Sequence, residues 1–159
     1  MMNAVTWFGE TCKNSLPSLE EMYLYFIEDE YQQPRAGTIC LYGAEGTEER
    51  PLGRGRLDIW LGIVQQPNLG FYLTHSRLGV PDNSVFHSSR DHKWSGHAGE
   101  MIEIDDNGYM ASEKLFVPTA QAWEAVKHFI ETQGGRSSAV HWLNDDEMPE
   151  GAFQSSIDD

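Results

Sequence analysis

Between Leu57 and Val64 the chain alternates without a break. Leu57, Ile59, Leu61 and Ile63 are large and apolar, and Asp58, Trp60, Gly62 and Val64 stand between them. Side chains of an extended strand point to opposite faces with a period of two, so this segment carries one strongly apolar face. Thr38 to Tyr42 and Phe71 to Thr74 are also rich in β-branched or aromatic residues between Gly, Pro and Asn breakers. Ala4 to Phe8 reads as a further short strand. The segment Gly43 to Gly55 holds four glycines and both charge signs. It is expected to be a mobile loop.

Two helices are expected. Ser18 and Glu21 have the spacing of a capping box, and Leu19, Met22, Tyr23, Phe26 and Ile27 then recur on one stripe. Pro34 and Gly37 are expected to end that element. The second helix follows Pro118, with Thr119 as its N-cap. Ala122, Val126, Phe129 and Ile130 fall on one face, with Trp123 at its border, and Gly134-Gly135 supplies the stop. Residues 81–99 lack periodicity and read as a long loop or irregular strand. The Asn107-Gly108 turn signal predicts a hairpin from about Glu100 to Phe116. Val140-His141-Trp142 reads as a closing strand. From Asn144 onward there are six acidic residues and no basic one, which predicts a flexible tail. The expected organisation is one globular domain over residues 1–143 and an acidic tail over 144–159. The expected class is α+β, an antiparallel sheet with two main helices packed on one face.

Charge restricts the function. The chain of 159 residues has 11 Lys and Arg against 25 Asp and Glu, a formal net charge of −14. Direct nucleic-acid binders need a basic face, and anionic membranes repel such a chain. Neither a transmembrane span nor a signal peptide is legible, and Cys12 and Cys40 read as reduced thiols, so a cytoplasmic location is expected. Solubility needs a net charge of only about 2–8 in magnitude. The excess has two readings, ordinary surface acidity and complementarity to a basic protein partner met through carboxylates.

The most enzyme-like pattern is His87, His92 and His97, with Asp91 beside His92. Imidazoles with a carboxylate can hold zinc or move protons. The spacing suits neither a helical face nor a zinc signature, so no metal, cofactor or catalytic residue is expected. No GxSxG and no GxxxxGK[ST] is present, and Gly53 and Gly55 read as a turn. Trp60, Trp94, Tyr109 and Trp123 are aromatic positions that no core stripe demands, and aromatics anchor interfaces.

The C-terminal third carries a resemblance. Gly99-Glu100, a short strand, Val117-Pro118-Thr119, Ala122 to Ile130, Gly134-Gly135-Arg136 and Val140-His141-Trp142 follow one another in order. Together they resemble the first-numbered immunity protein family of bacterial polymorphic toxin systems. Members of that family neutralise toxins that act on nucleic acids, notably deaminases. Ser137 stands where the family commonly has Pro. The resemblance implies a protein that binds a cognate toxin domain with a basic surface and blocks its active site or substrate channel. It transfers no contact residue. Because binding concentrates on loops, the expected toxin-binding set is Asp91, His92, Trp94, Asp105, Asp106 and Tyr109. The competing expectation is a small enzyme with a metal or acid–base site at His87, His92 and His97.

Overall fold

The computed structural model describes residues 3–8, 11–27, 35–79, 83–90, 99–104 and 108–154. Its centre is β4 (Asp58–Gln66), flanked by β3 (Arg35–Tyr42) and β5 (Gly70–Leu78), both antiparallel to it. Leu61 stands opposite Ile39 and His75, and Ile63 opposite Leu73. The alternation pins this register, because a slip of one residue would turn Ile59, Leu61 and Ile63 to the other face. β1 (Asn3–Phe8) and β2 (Thr11–Lys13) continue the sheet beyond β3. β6 (Ser84–Ser89) and β10 (His141–Asn144) continue it beyond β5. The strand order is β10-β6-β5-β4-β3-β1-β2. The short β9 (Phe116–Val117) shares the outer edge of β5 with β6. It pairs at Phe71 and Tyr72, and β6 pairs from Thr74 to Arg77.

The helices are α1 (Leu19–Ile27) and α2 (Thr119–Thr132). A mostly antiparallel sheet with two α-helices is the expected α+β class. Ser18 Oγ accepts the Glu21 N–H at 3.1 Å, as the capping spacing requires. Met22 of α1 and Ala122, Val126 and Phe129 of α2 join Ile39, Leu41, Ile59, Leu61, Ile63, Phe71 and Leu73 in one buried cluster. Burying each of the large side chains contributes about 1.5–3 kcal/mol. Tyr23 leaves the expected apolar stripe: it is exposed and meets the Trp123 ring edge-on at 5.6 Å.

A second cluster joins Tyr72, Ala111, Leu115 and Phe116 to Ile102, Ile104 and Met148. It underlies a small second sheet of β7 (Met101–Glu103), β8 (Met110–Ser112) and β11 (Phe153–Gln154). β7 and β8 form the hairpin expected between Glu100 and Phe116. Phe71 and Leu73 belong to one cluster and Tyr72 to the other. The middle of β5 is therefore covered on both faces, and its burial does not alternate there.

Several expectations need correction. Gly37 does not end a helix; it lies inside β3, opposite Phe8 and Ile63. The N-cap of α2 is Pro118, with no side-chain capping bond, and Thr119 is already helical. Gly43 to Gly55 is not a free loop. Thr47 Oγ1 donates to Ala44 O at 2.7 Å and accepts from Leu57 N at 2.9 Å. Gly43 N–H donates to the buried Asp58 carboxylate. Within residues 81–99, read as a long loop or irregular strand, 84–89 form a regular strand, β6, paired on both sides. The expected tail is folded as far as Gln154: Asn144 caps a 3-10 turn over Asp145–Glu147, and Phe153 and Gln154 pair with β8. Backbone pairing and the buried Ala152 hold a segment whose composition alone suggests solvation.

Among the described residues, no helix is long and apolar enough to cross a membrane.

Candidate functional site

His87 lies on β6, opposite Thr74 and Leu143. Its Nδ1 is 2.7 Å from the Tyr72 hydroxyl and its Nε2 is 2.7 Å from Asp145 Oδ1. A carboxylate only accepts, so Nε2–H donates to Asp145 Oδ1; in the neutral imidazole this leaves Nδ1 to accept from the Tyr72 O–H. The two rings stack with an interplanar angle of 16°. Burial, and then the charge of Asp145, push the Tyr72 phenol far above its ordinary range, so it stays a protonated donor. Tyr72 is 2% exposed, whereas the Asp145 side chain is 68% exposed. The relay thus runs from the interior to the surface. A general acid or base must reach its substrate's proton, and both imidazole nitrogens are already engaged. The arrangement tethers the turn at Asp145 to β6.

His92 and His97, the other members of the expected histidine set, lie outside the described residues. So do Asp91, Trp94, Asp105 and Asp106 of the expected toxin-binding set. Among the described residues, no group of three or more His, Cys, Asp and Glu side chains converges as a metal would need. Cys40 is buried, and burial pushes its thiol up, away from an activated nucleophile. Cys12 is exposed.

Tyr109, the one described member of the toxin-binding set, precedes β8. Its ring centroid is 6.0 Å from that of Phe153, which is 41% exposed. Phe153 belongs to the segment whose acids the sequence assigned to a tail. Asp145, Asp146, Glu147 and Glu150 are all exposed there, with no basic residue between them. Three contacts with the rest of the chain and one local cap hold the segment. Asp145 bonds to His87, and Asn144 and Glu147 complete a reciprocal capping box. Met148 packs into the second core, and Ser112 N–H donates to Ala152 O at 2.7 Å. These contacts order an acidic segment that carries the exposed Phe153. Sequence reasoning found its charge but not its order, because the partners that fix it lie far away along the chain.

Two other features are internal. His75 donates from Nε2 to Gly134 O at 2.7 Å between Phe129 and Trp142. Its Nδ1 is buried with no hydrogen-bond partner. Burial depresses its tendency to charge, and the nearby Arg136 and Arg77 add to this. A groove of about 290 Å³ lies between the β4–β5 turn and the start of α2, lined by Gln65, Gln66, Leu69, Pro118 and Thr119 among others. It brings together none of the expected site residues.

Comparison of the chain with family models, curated proteins and solved structures finds no match to any of them. The residues that carry the family resemblance have structural tasks here. Ala122, Val126 and Phe129 fill the core. Gln133 adopts the left-handed conformation at the end of α2, and Gly134 N–H then reaches back to Phe129 O. Trp142 Nε1 donates to Ser137 O at 2.8 Å and its ring borders His75. The Arg136 guanidinium lies 3.5 Å from the centre of the Phe86 ring.

Proposed function

We propose that this chain is a cytoplasmic immunity protein that binds a cognate polymorphic toxin domain and neutralises it sterically. The target class is a toxin acting on nucleic acids, a deaminase or a nuclease. The observation that carries the reading is the net charge of −14 together with exposed carboxylates at Asp145, Asp146, Glu147 and Glu150, with no cation among them. An enzyme that works on nucleic acid presents Lys and Arg where phosphates sit. A carboxylate surface fits the same groups, and its field speeds encounter. Inhibition by occlusion requires no chemistry from the inhibitor. Both helices are read as packed on one face of the main sheet, which leaves the side carrying the small sheet to the partner. Asp91, His92, Trp94, Asp105 and Asp106 are assigned to the contact surface together with Tyr109.

The test is affinity capture from the native host's lysate at low and moderate salt, followed by mass spectrometry. The expected result is one stoichiometric partner with a basic toxin domain whose activity the chain abolishes in a purified assay. A captured toxin that stays fully active would overturn the reading.

The competing reading, a small enzyme with a metal or acid–base site at His87, His92 and His97, requires His87 to release Tyr72 or Asp145, which occupy both its ring nitrogens. Stoichiometric zinc in the purified protein, lost on His92→Ala, would support it over the first.

A further inference from the structure

We infer that Tyr109 and Phe153 form the apolar anchor of the docking surface, and that the ordered segment after Asn144 supplies its carboxylate rim. The inference rests on the immunity reading and adds where on the chain the basic partner sits.

Four large apolar side chains are exposed among the described residues: Trp7, Tyr23, Leu52 and Phe153. Only Phe153 has a setting complementary to a basic protein. Leu52 stands between Arg50 and Arg54 in sequence, which would repel such a partner. Tyr23 packs edge-on against Trp123, and although Glu20 is exposed on the same helix, Lys13 and Lys127 pair with Glu21 and Glu124, so cations share that surface. Trp7 lies on β1, whose sequence holds no acid. Phe153, by contrast, shares its segment with Asp146, Glu147 and Glu150, all exposed, and no Lys or Arg follows Asn144. The register places Phe153 opposite Ala111, and Tyr109 meets it ring to ring at 6.0 Å.

Interfaces concentrate their free energy in a few aromatic anchors ringed by polar groups. Holding those anchors rigid before contact reduces the entropy lost on binding. The His87–Asp145 bond, the capping box and the Ser112–Ala152 bond provide that rigidity. The occupant is therefore a protein with a Lys- and Arg-rich rim around an apolar or aromatic recess, in the manner of a groove that stacks unpaired bases.

The experiment uses the full-length chain and the purified basic domain of the partner obtained by capture. Phe153→Ala and Tyr109→Ala are each expected to weaken Kd by about 30-fold or more. Trp7→Ala and Leu52→Ala are expected to change it by less than about threefold. Glu150→Lys, a surface change that leaves the aromatic pair intact, is expected to slow association at low salt and not at high salt. Wild-type Kd for a folded Phe153→Ala protein would overturn the inference while leaving the immunity reading in place. Failure of the unaltered chain to retain or inhibit any basic domain would overturn both. A change in sedimentation of the isolated protein on Phe153→Ala, without a change in Kd, would make the patch a face for a second copy and overturn the inference too.

Discussion

His87 on β6 reaches across to Asp145 at 2.7 Å, fastening a strand of the main sheet to the first turn of the acidic C-terminal segment. Beneath it, Tyr72 closes the other imidazole nitrogen. One histidine thus joins a core phenol to a surface carboxylate, and its neutral form satisfies all three polar groups. The exposed end and the buried end should differ in cost.

Asp145→Ala removes only the exposed partner. Its side chain is 68% exposed and water can take the place of its carboxylate, so global stability should hardly move. Hydrogen exchange at the Ser112 amide, which donates to Ala152 O, should nevertheless speed up as the segment loosens. His87→Leu instead leaves the buried Tyr72 hydroxyl without an acceptor, at about 1–3 kcal/mol. Adding Tyr72→Phe to that variant should recover much of the loss. Denaturant unfolding of the three variants checks the asymmetry.

His75 predicts the direction of the pH dependence. Its burial holds the folded-state value below the ordinary range of about 6.5. The unfolded chain therefore takes the proton first as pH falls. Stability from this site is fully present above about pH 6.5 and is lost progressively below it. His75→Gln can retain a donor for Gly134 O but does not titrate. The slope of unfolding midpoint against pH, below pH 6.5, should be shallower in that variant than in the parent; an unchanged slope would place the pH dependence elsewhere.

The parts legible in the sequence are those where burial follows a period. Ile59, Leu61 and Ile63 announced β4, and Ala122, Val126 and Phe129 announced the buried face of α2. β6 was legible only as a loop or irregular strand because its buried residues are polar. Ser88 accepts from Leu73 N–H and donates to Leu115 O, replacing apolar contact with two specific bonds that have no periodic signature. The order of the acidic segment was illegible for a related reason. β11 is two residues long, and the residues that pin the segment, His87 and Asp145, are 58 positions apart. Asp58 misled in the opposite sense: it occupies a polar slot of the alternation yet is 3% exposed. Of the candidate site, Tyr109 and the acidic charge could be read in advance, but the company of Phe153 could not.

Gly70 should tolerate no side chain. Its φ of +117° lies in the left-handed half of backbone space, and a Cβ there would meet the Val117 carbonyl oxygen at 2.2 Å. That approach is what lets β9 share an edge with β6. Strain of this kind costs on the order of 1–3 kcal/mol even without the clash. Gly70→Ala should therefore lose at least that much by thermal unfolding, and it should expose the Phe71–Val117 pairing to hydrogen exchange before β4.

Asp58 is the anchor of the turns between β3 and β4. Its Oδ1 accepts from Gly43 N–H at 3.0 Å, and Arg56 bonds both carboxylate oxygens at 3.1 Å. The Asp58 side chain is 4% exposed against 25% for Arg56, so the two halves of the pair are not equivalent. Removing one partner of a buried ion pair costs about 3–5 kcal/mol, because the remaining groups are left uncompensated. Arg56 can turn partly to solvent, which places Asp58→Ala toward the lower end of that range. Asp58→Asn keeps an acceptor for Gly43 and should lose less. Limited proteolysis gives an independent readout. If Asp58 holds the turns down, cleavage between Gly43 and Leu57 should rise in Asp58→Ala well before global unfolding, and less so in Asp58→Asn. Equal protection in all three proteins would mean that Thr47, through Ala44 O and Leu57 N–H, suffices to hold the segment alone.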